Sequence, residues 1–127
     1  MEITVKKAQE QDIDAVAALY AVVCDYLKDK PFNPNWRRDI FPAREDAAEY
    51  LNADGLYIAW DRETPVGTFA LLPEMEGVFC IHEAAVHPEY LRRGVAKAML
   101  DFAAQEAAAQ GANFLLLMLH DVLLLYH

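Results

Sequence analysis

Cysteine is scarce: Cys24 and Cys80 are the only two in the chain. Two thiols so far apart, with no secretory leader ahead of them, read as reduced residues of a cytoplasmic protein and exclude a disulfide framework. The opening residues Met1 to Lys7 form neither a long apolar segment nor a lipidation pattern, so export and anchoring are not expected. No CxxC pair joins His82, His87, His120 or His127, and no zinc site is expected from that spacing. Basic residues are also few. Eleven Lys and Arg stand against 20 Asp and Glu, a formal charge of −9, and the Lys/Arg stripes that bind nucleic-acid phosphates are missing. The deficit is even along the chain: residues 1–64 carry 8 basic and 13 acidic side chains, residues 65–127 carry 3 and 7. Long apolar runs are lacking too. Phe114 to Leu119 and Val122 to Tyr126 are split by His120 and Asp121, and each is well short of the roughly 20 residues of a membrane span.

What remains is 127 residues, 55% of them hydrophobic, which suits one domain over residues 1–127 able to bury roughly two thirds of its unfolded surface. Ile3-Thr4-Val5 is a short β-branched strand. Asp12 is placed to cap a helix in which Ile13, Val16, Leu19, Tyr20, Val23 and Leu27 recur at helical spacing. Pro31, Pro34 and Pro42 keep the stretch 30–43 irregular, and its aromatics Phe32, Trp36 and Phe41 either pin the loop to the body or line a cleft. A second helix follows from Glu45 to Asn52, closed by Asp54-Gly55. Leu56 to Trp60 and Val66 to Leu72 read as a hairpin about the turn 61–65. Val78 to Val86, apolar on both faces, reads as a central strand. An alanine-rich helix then runs from Gly94 to Gly111, before a last strand from Phe114 to Leu119. The order β-α-α-β-β-β-α-β predicts an α+β (α/β layered) fold, a mixed and mostly antiparallel sheet flanked by helices.

One segment stands above this background. From Glu83 to Leu100 a central strand runs through a tight turn into a helix whose first turn holds Gly94 and the small Ala96. The first amides of a helix have no partners within it, and the helix dipole adds positive potential there, so such an end can bind an anion by backbone alone. Arg92 and Arg93 place two of the three basic side chains of residues 65–127 at this turn, and Lys97 lies one helical turn on. The plainer alternative is that Gly94 only turns the chain and the arginines are solvated. A lone glycine lacks the GxGxxG or GxxxxGK[ST] spacing of nucleotide-binding loops.

The same residues carry a resemblance. The Val86-His87-Pro88-Glu89-Tyr90 segment, the Arg92-Arg93 pair, Gly94-Val95-Ala96 and the alanine-rich helix resemble the acetyl-CoA signature of the GNAT superfamily of N-acetyltransferases. So do the opening strand and its helix, the hairpin with Gly67 and the Asn33-Pro34-Asn35-Trp36 loop, about residues 2 to 119 in all. The resemblance implies the GNAT acyl-CoA N-acyltransferase fold with acetyl-CoA as cosubstrate. It implies that the backbone of Ala84, Ala85 and Val86 meets the pantetheine arm and that the amides of Leu91, Arg92, Arg93, Gly94, Val95 and Ala96 cradle the pyrophosphate. The family turn usually begins with Gln or Arg where this chain has Leu91, which removes a side-chain contact and leaves the main-chain donors. Family members continue after their equivalent of the Phe114 strand through a helix and two more strands. The expectation is that these C-terminal strands are missing and that the open apolar edge recruits a second copy, giving a homodimer.

Acyl transfer to an amine needs a base for the amine proton, a polarised carbonyl and a route for the leaving sulfur. Glu83 and His82 are the candidate bases, and strand alternation would send them to opposite faces. Tyr126 is the candidate acid by resemblance, and Trp36, Phe32 and Tyr26 are candidate walls for the acceptor. The function expected is N-acetyl transfer from acetyl-CoA to a primary amine of a small molecule or peptide. The alternative is a non-catalytic acyl-CoA binder, or a shortened relative that folds as an oligomer.

Overall fold

The computed structural model describes residues 1–118 and Asp121. It contains strands β1 (Ile3–Lys7), β2 (Leu56–Asp61), β3 (Thr64–Met75), β4 (Val78–Val86) and β5 (Phe114–Leu117), with helices α1 (Ile13–Leu27), α2 (Arg44–Asn52) and α3 (Val95–Ala109). The five strands form one sheet in the order β1-β2-β3-β4-β5. The first four are antiparallel and β5 runs parallel to β4. A parallel pair needs a long crossover, and α3 supplies it.

Alternation along β2 divides the core. Tyr57 and Ala59 face the layer built on α3 with Met99 and Ala103, while Leu56 and Ile58 face Val16, Tyr20 and Ala47 of α1 and α2. The expected stripe of α1 is buried along its full length. Asp12 does a different job from the one predicted. Its carboxylate accepts the Gln9 N–H at 2.9 Å and closes the one-turn 3-10 helix Glu10–Asp12 that leads into α1. At α2, Asp46 reaches back in the same way to the Ala43 N–H at 2.8 Å, so the helix begins at Arg44, one residue before the sequence reading.

β3 is longer than predicted because its two prolines lie beside irregularities of the ladder. Pro65 pairs with Trp60 where the β2–β3 register shifts, and Pro73 pairs with Phe79 beside a second shift in β3–β4. The connection between β2 and β3 shrinks to Arg62-Glu63, with Arg62 left-handed at φ +58°. The irregular stretch after α1 is pinned by Trp36, 3% exposed and clustered with Val23, Cys24, Leu27 and Ala85. Asn33 clamps it, its Oδ1 accepting the Trp36 N–H at 2.9 Å.

At the end of α2 the left-handed residue is Asp54, φ +61°. Gly55 is there for close approach. A β-carbon on it would lie 2.5 Å from the Leu71 carbonyl oxygen, at the point where the Leu71 N–H donates to the Gly55 carbonyl at 2.8 Å. The obstacle is backbone, so it cannot swing aside. Gly55→Ala is expected to cost about 1–3 kcal/mol, read as a lower urea midpoint with an unchanged m-value. An unchanged midpoint would mean that β3 yields there at no cost.

Candidate functional site

The site is organised by a bulge in β4. Thr68 pairs with Ala85 and Ala70 with His82, so Phe69 alone opposes both Glu83 and Ala84. Glu83 takes the left-handed conformation at φ +40°, and the bulge re-aims its side chain. The expected split of His82 and Glu83 to opposite faces does not occur, because both reach Tyr50 of α2. The Tyr50 hydroxyl donates to the buried Glu83 carboxylate, and its ring stacks on the His82 imidazole with centroids 6.1 Å apart. Burial, then the hydrogen bond to Glu83, hold the Tyr50 hydroxyl far above its ordinary pKa, so it acts as a neutral donor. Burial and the charge of Glu83 do the same to the Tyr20 hydroxyl. His82 Nε2 lies 2.9 Å from Glu74 Oε1. Sequence reasoning missed Tyr50, which sits 33 positions from Glu83 on what reads as an ordinary helix face.

Beyond the bulge, β4 runs without a paired residue of β5 among the described residues, the last pair being Ile81 with Leu117. The Ala84 N–H is engaged, donating to the fully buried Asp121 carboxylate at 3.4 Å. This differs from the expectation that Ala84 offers its backbone to a ligand beside Ala85 and Val86. The signal for Asp121 was present: an acid inside an apolar run is out of place unless something buried needs it.

At the end of β4 the chain turns through a 3-10 helix, Pro88–Tyr90. His87 braces it, its Nδ1 accepting the Glu89 N–H at 3.1 Å while its own N–H donates to the Val66 carbonyl at 2.8 Å. The Leu91 N–H is turned inward to the Pro88 carbonyl at 3.4 Å, so it leaves the predicted ring of amides. Arg92 and Gly94 are both left-handed, φ +62° and +90°. The first α3 bond runs from the Ala98 N–H to the Gly94 carbonyl at 3.1 Å, so the amides of Gly94, Val95, Ala96 and Lys97 precede the helical ladder. Arg93 is held against the turn, over the Tyr90 ring at 4.6 Å and donating to the Glu89 carbonyl at 3.4 Å. Arg92 is exposed. Lys97 pairs along the helix with Asp101 at 2.7 Å.

The aromatic candidates separate. Tyr26 and Phe32 line a small cleft with Val23, Leu27, Ala85, Val86 and Leu91, between α1 and the last residues of β4. Trp36 packs beneath them and borders a different recess with Asn35 and Arg37. Tyr126 lies outside the described residues. The arrangement therefore offers a buried carboxylate with a fixed donor in β4, an apolar cleft beside the end of that strand, and the amides that precede the ladder of α3 after the following turn.

Comparison with known proteins identifies the fold and the family. The model of the Acetyltransferase (GNAT) family matches residues 18–123. A GNAT family acetyltransferase from Brucella melitensis, solved with acetyl-CoA, superimposes with a TM-score of 0.70 at 13% identity, over 91% of this chain and 75% of that one. A GNAT acetyltransferase from Staphylococcus aureus Mu50 gives 0.69 at 19% identity, over 91% and 73%. An aminoglycoside acetyltransferase from an uncultured soil metagenomic sample, in complex with sisomicin, gives 0.66 at 17% identity, over 91% and 76%. At such identities the likeness is one of fold. No curated protein sequence matches the chain.

Proposed function

The chain belongs to the GNAT acetyltransferase family, and from that premise we propose that it moves an acetyl group from acetyl-CoA to a primary amine of a small molecule or peptide. The observation that carries this reading is the bulge, which sets the Glu83 carboxylate at one end of the stretch 83–86 whose other end leads to the α3 amides. The pyrophosphate of the cosubstrate meets the amides of Gly94, Val95 and Ala96, with Arg92 and Arg93 beside them. The pantetheine arm follows the backbone of Ala85 and Val86, and Tyr26 and Phe32 flank the acceptor. Glu83, directly or through a water, takes the proton of the attacking amine, and His82 is the second candidate for that role. The nitrogen bonds to the thioester carbon, the C–S bond breaks, and the sulfur leaves with the bonding pair. A thiol of ordinary pKa near 8.5 can leave as thiolate without a general acid.

A second copy completes the proposal. Phe114 is 68% exposed, Leu116 46% and Met118 48% on the β5 side of the sheet, and an apolar edge of that kind supports strand-to-strand pairing into a homodimer. The two buried thiols suit a reducing cytoplasm. No helix of the described residues is long and apolar enough to cross a membrane.

The test has two arms. CoA at a hundredfold excess over its Kd should stabilise the protein by about 2.7 kcal/mol, seen as a raised melting temperature, and acetyl-CoA with a panel of primary amines should release free thiol. A thermal shift without thiol release would indicate a non-catalytic acyl-CoA binder. Gly94→Glu should abolish the shift, because it brings a carboxylate to the amide cluster at a residue with φ +90°. A β-carbon there meets nothing within 4 Å, so crowding would not be the cause. Gly94→Asn, which tolerates the left-handed conformation, should keep most of it. An unchanged shift in Gly94→Glu would remove the cradle from the proposal.

A further inference from the structure

We propose that Glu74, Cys80 and His82 form a binding site for a divalent cation of the zinc class, with one coordination position open to solvent. The site shares His82 with the acetyl-transfer reading but does not depend on that reading. Cys80 and His82 are alternate residues of β4 and share the face turned toward α2. Glu74 joins them from the neighbouring strand because it is the extra residue of the second β3 bulge, between the pairs Pro73 with Phe79 and Met75 with Val78. That bulge explains why a search for CxxC spacing finds nothing: the third donor comes from across the sheet.

The three donor atoms lie within 4.8 Å of one another, and His82 Nε2 is 2.9 Å from Glu74 Oε1. A tetrahedral zinc ion would set such atoms about 3.3–3.6 Å apart, which small side-chain rotations reach from here. Sulfur, imidazole and a single carboxylate select a borderline-soft ion over magnesium or calcium, which need all-oxygen shells. Cys80 is 2% exposed, whereas the side chains of His82 and Glu74 are 28% and 40% exposed. The sulfur therefore forms the floor and the other two donors the rim, where the ion enters and where a water completes the shell. On binding, the Cys80 thiol gives its proton to solvent. The Tyr50 ring against His82 holds the imidazole near its ligating position.

Cobalt(II) titration of the full chain, stripped of metal by chelator dialysis, tests the site. The expected result is one equivalent bound with a thiolate-to-cobalt charge-transfer band that zinc displaces. Cys80→Ser should lose the band and Cys24→Ser should keep it. Should Cys80→Ser fail to fold by circular dichroism, Glu74→Gln, at an exposed position, should bind cobalt about tenfold or more weakly, a loss that even an outer-shell change can cause. No charge-transfer band in the unaltered protein would overturn the proposal. So would a band that survives Cys80→Ser, one that disappears in Cys24→Ser, or an affinity unmoved by Glu74→Gln.

Discussion

Glu83→Gln is expected to lower kcat about 10²–10⁴-fold, the usual contribution of a positioned base, while the stabilisation by CoA persists. The substitution keeps the shape of the side chain and can still accept the Tyr50 hydroxyl, so the bulge at φ +40° should survive. What it removes is the ability to take a proton from the attacking amine. In the proposed reading the α3 amides and the backbone of Ala85 and Val86 hold the cosubstrate, and Gln at 83 does not touch them, so binding and turnover should separate. His82 supplies the contrast. Its Nε2 is already engaged by Glu74 at 2.9 Å, so His82→Gln should cost less turnover. Steady-state kinetics on the best amine of the panel, paired with thermal shifts, reads both quantities. A Glu83→Gln enzyme within threefold of the parent would remove Glu83 from the mechanism and move the assignment to His82.

Much of the fold was legible because it rests on local periodicity. The stripe from Ile13 to Leu27 is buried as read, and β4, apolar on both faces, lies inside the sheet between β3 and β5, although β3 is the middle strand. The helix end at Gly94 was legible because glycine before an alanine-rich run has few other uses. What the sequence could not show depends on pairing across the sheet. β3 passes through Pro65 and Pro73 because register shifts absorb residues that cannot donate, and a shift belongs to two strands at once. The same cause hid the shared face of His82 and Glu83: alternation is a rule for a regular strand, and the bulge breaks it where the chemistry is expected. Tyr50 was missed for a related reason: it satisfies the Glu83 carboxylate on a distant element, and on a helix face that leaves no local pattern. Asp121, which accepts from the Ala84 amide, left one trace, an acid inside an apolar run, but nothing in the run names its partner.

Phe69→Ala tests whether the bulge is held from behind, and it is expected to have the largest effect on stability. Phe69 is 1% exposed, pairs across the ladder with Tyr57 and stacks on its ring at 5.2 Å and 11°. Tyr57 in turn meets Phe102 of α3 at 5.4 Å. Truncation leaves a cavity between the sheet and α3 and ends this relay, at about 3–5 kcal/mol for the ring. A chain of this size has about 5–15 kcal/mol of stability in total, so the variant should have a sharply reduced urea midpoint and a substantial unfolded fraction at 37 °C. Phe69→Leu keeps most of the volume and should cost less than half as much. Because Phe69 is the single residue facing Glu83 and Ala84, the leucine variant should also lose turnover while folded, as the bulge loses the ring that fixes its back. Equal kcat in Phe69→Leu and the parent, at a temperature where both are folded, would mean that Tyr50 alone positions the Glu83 carboxylate.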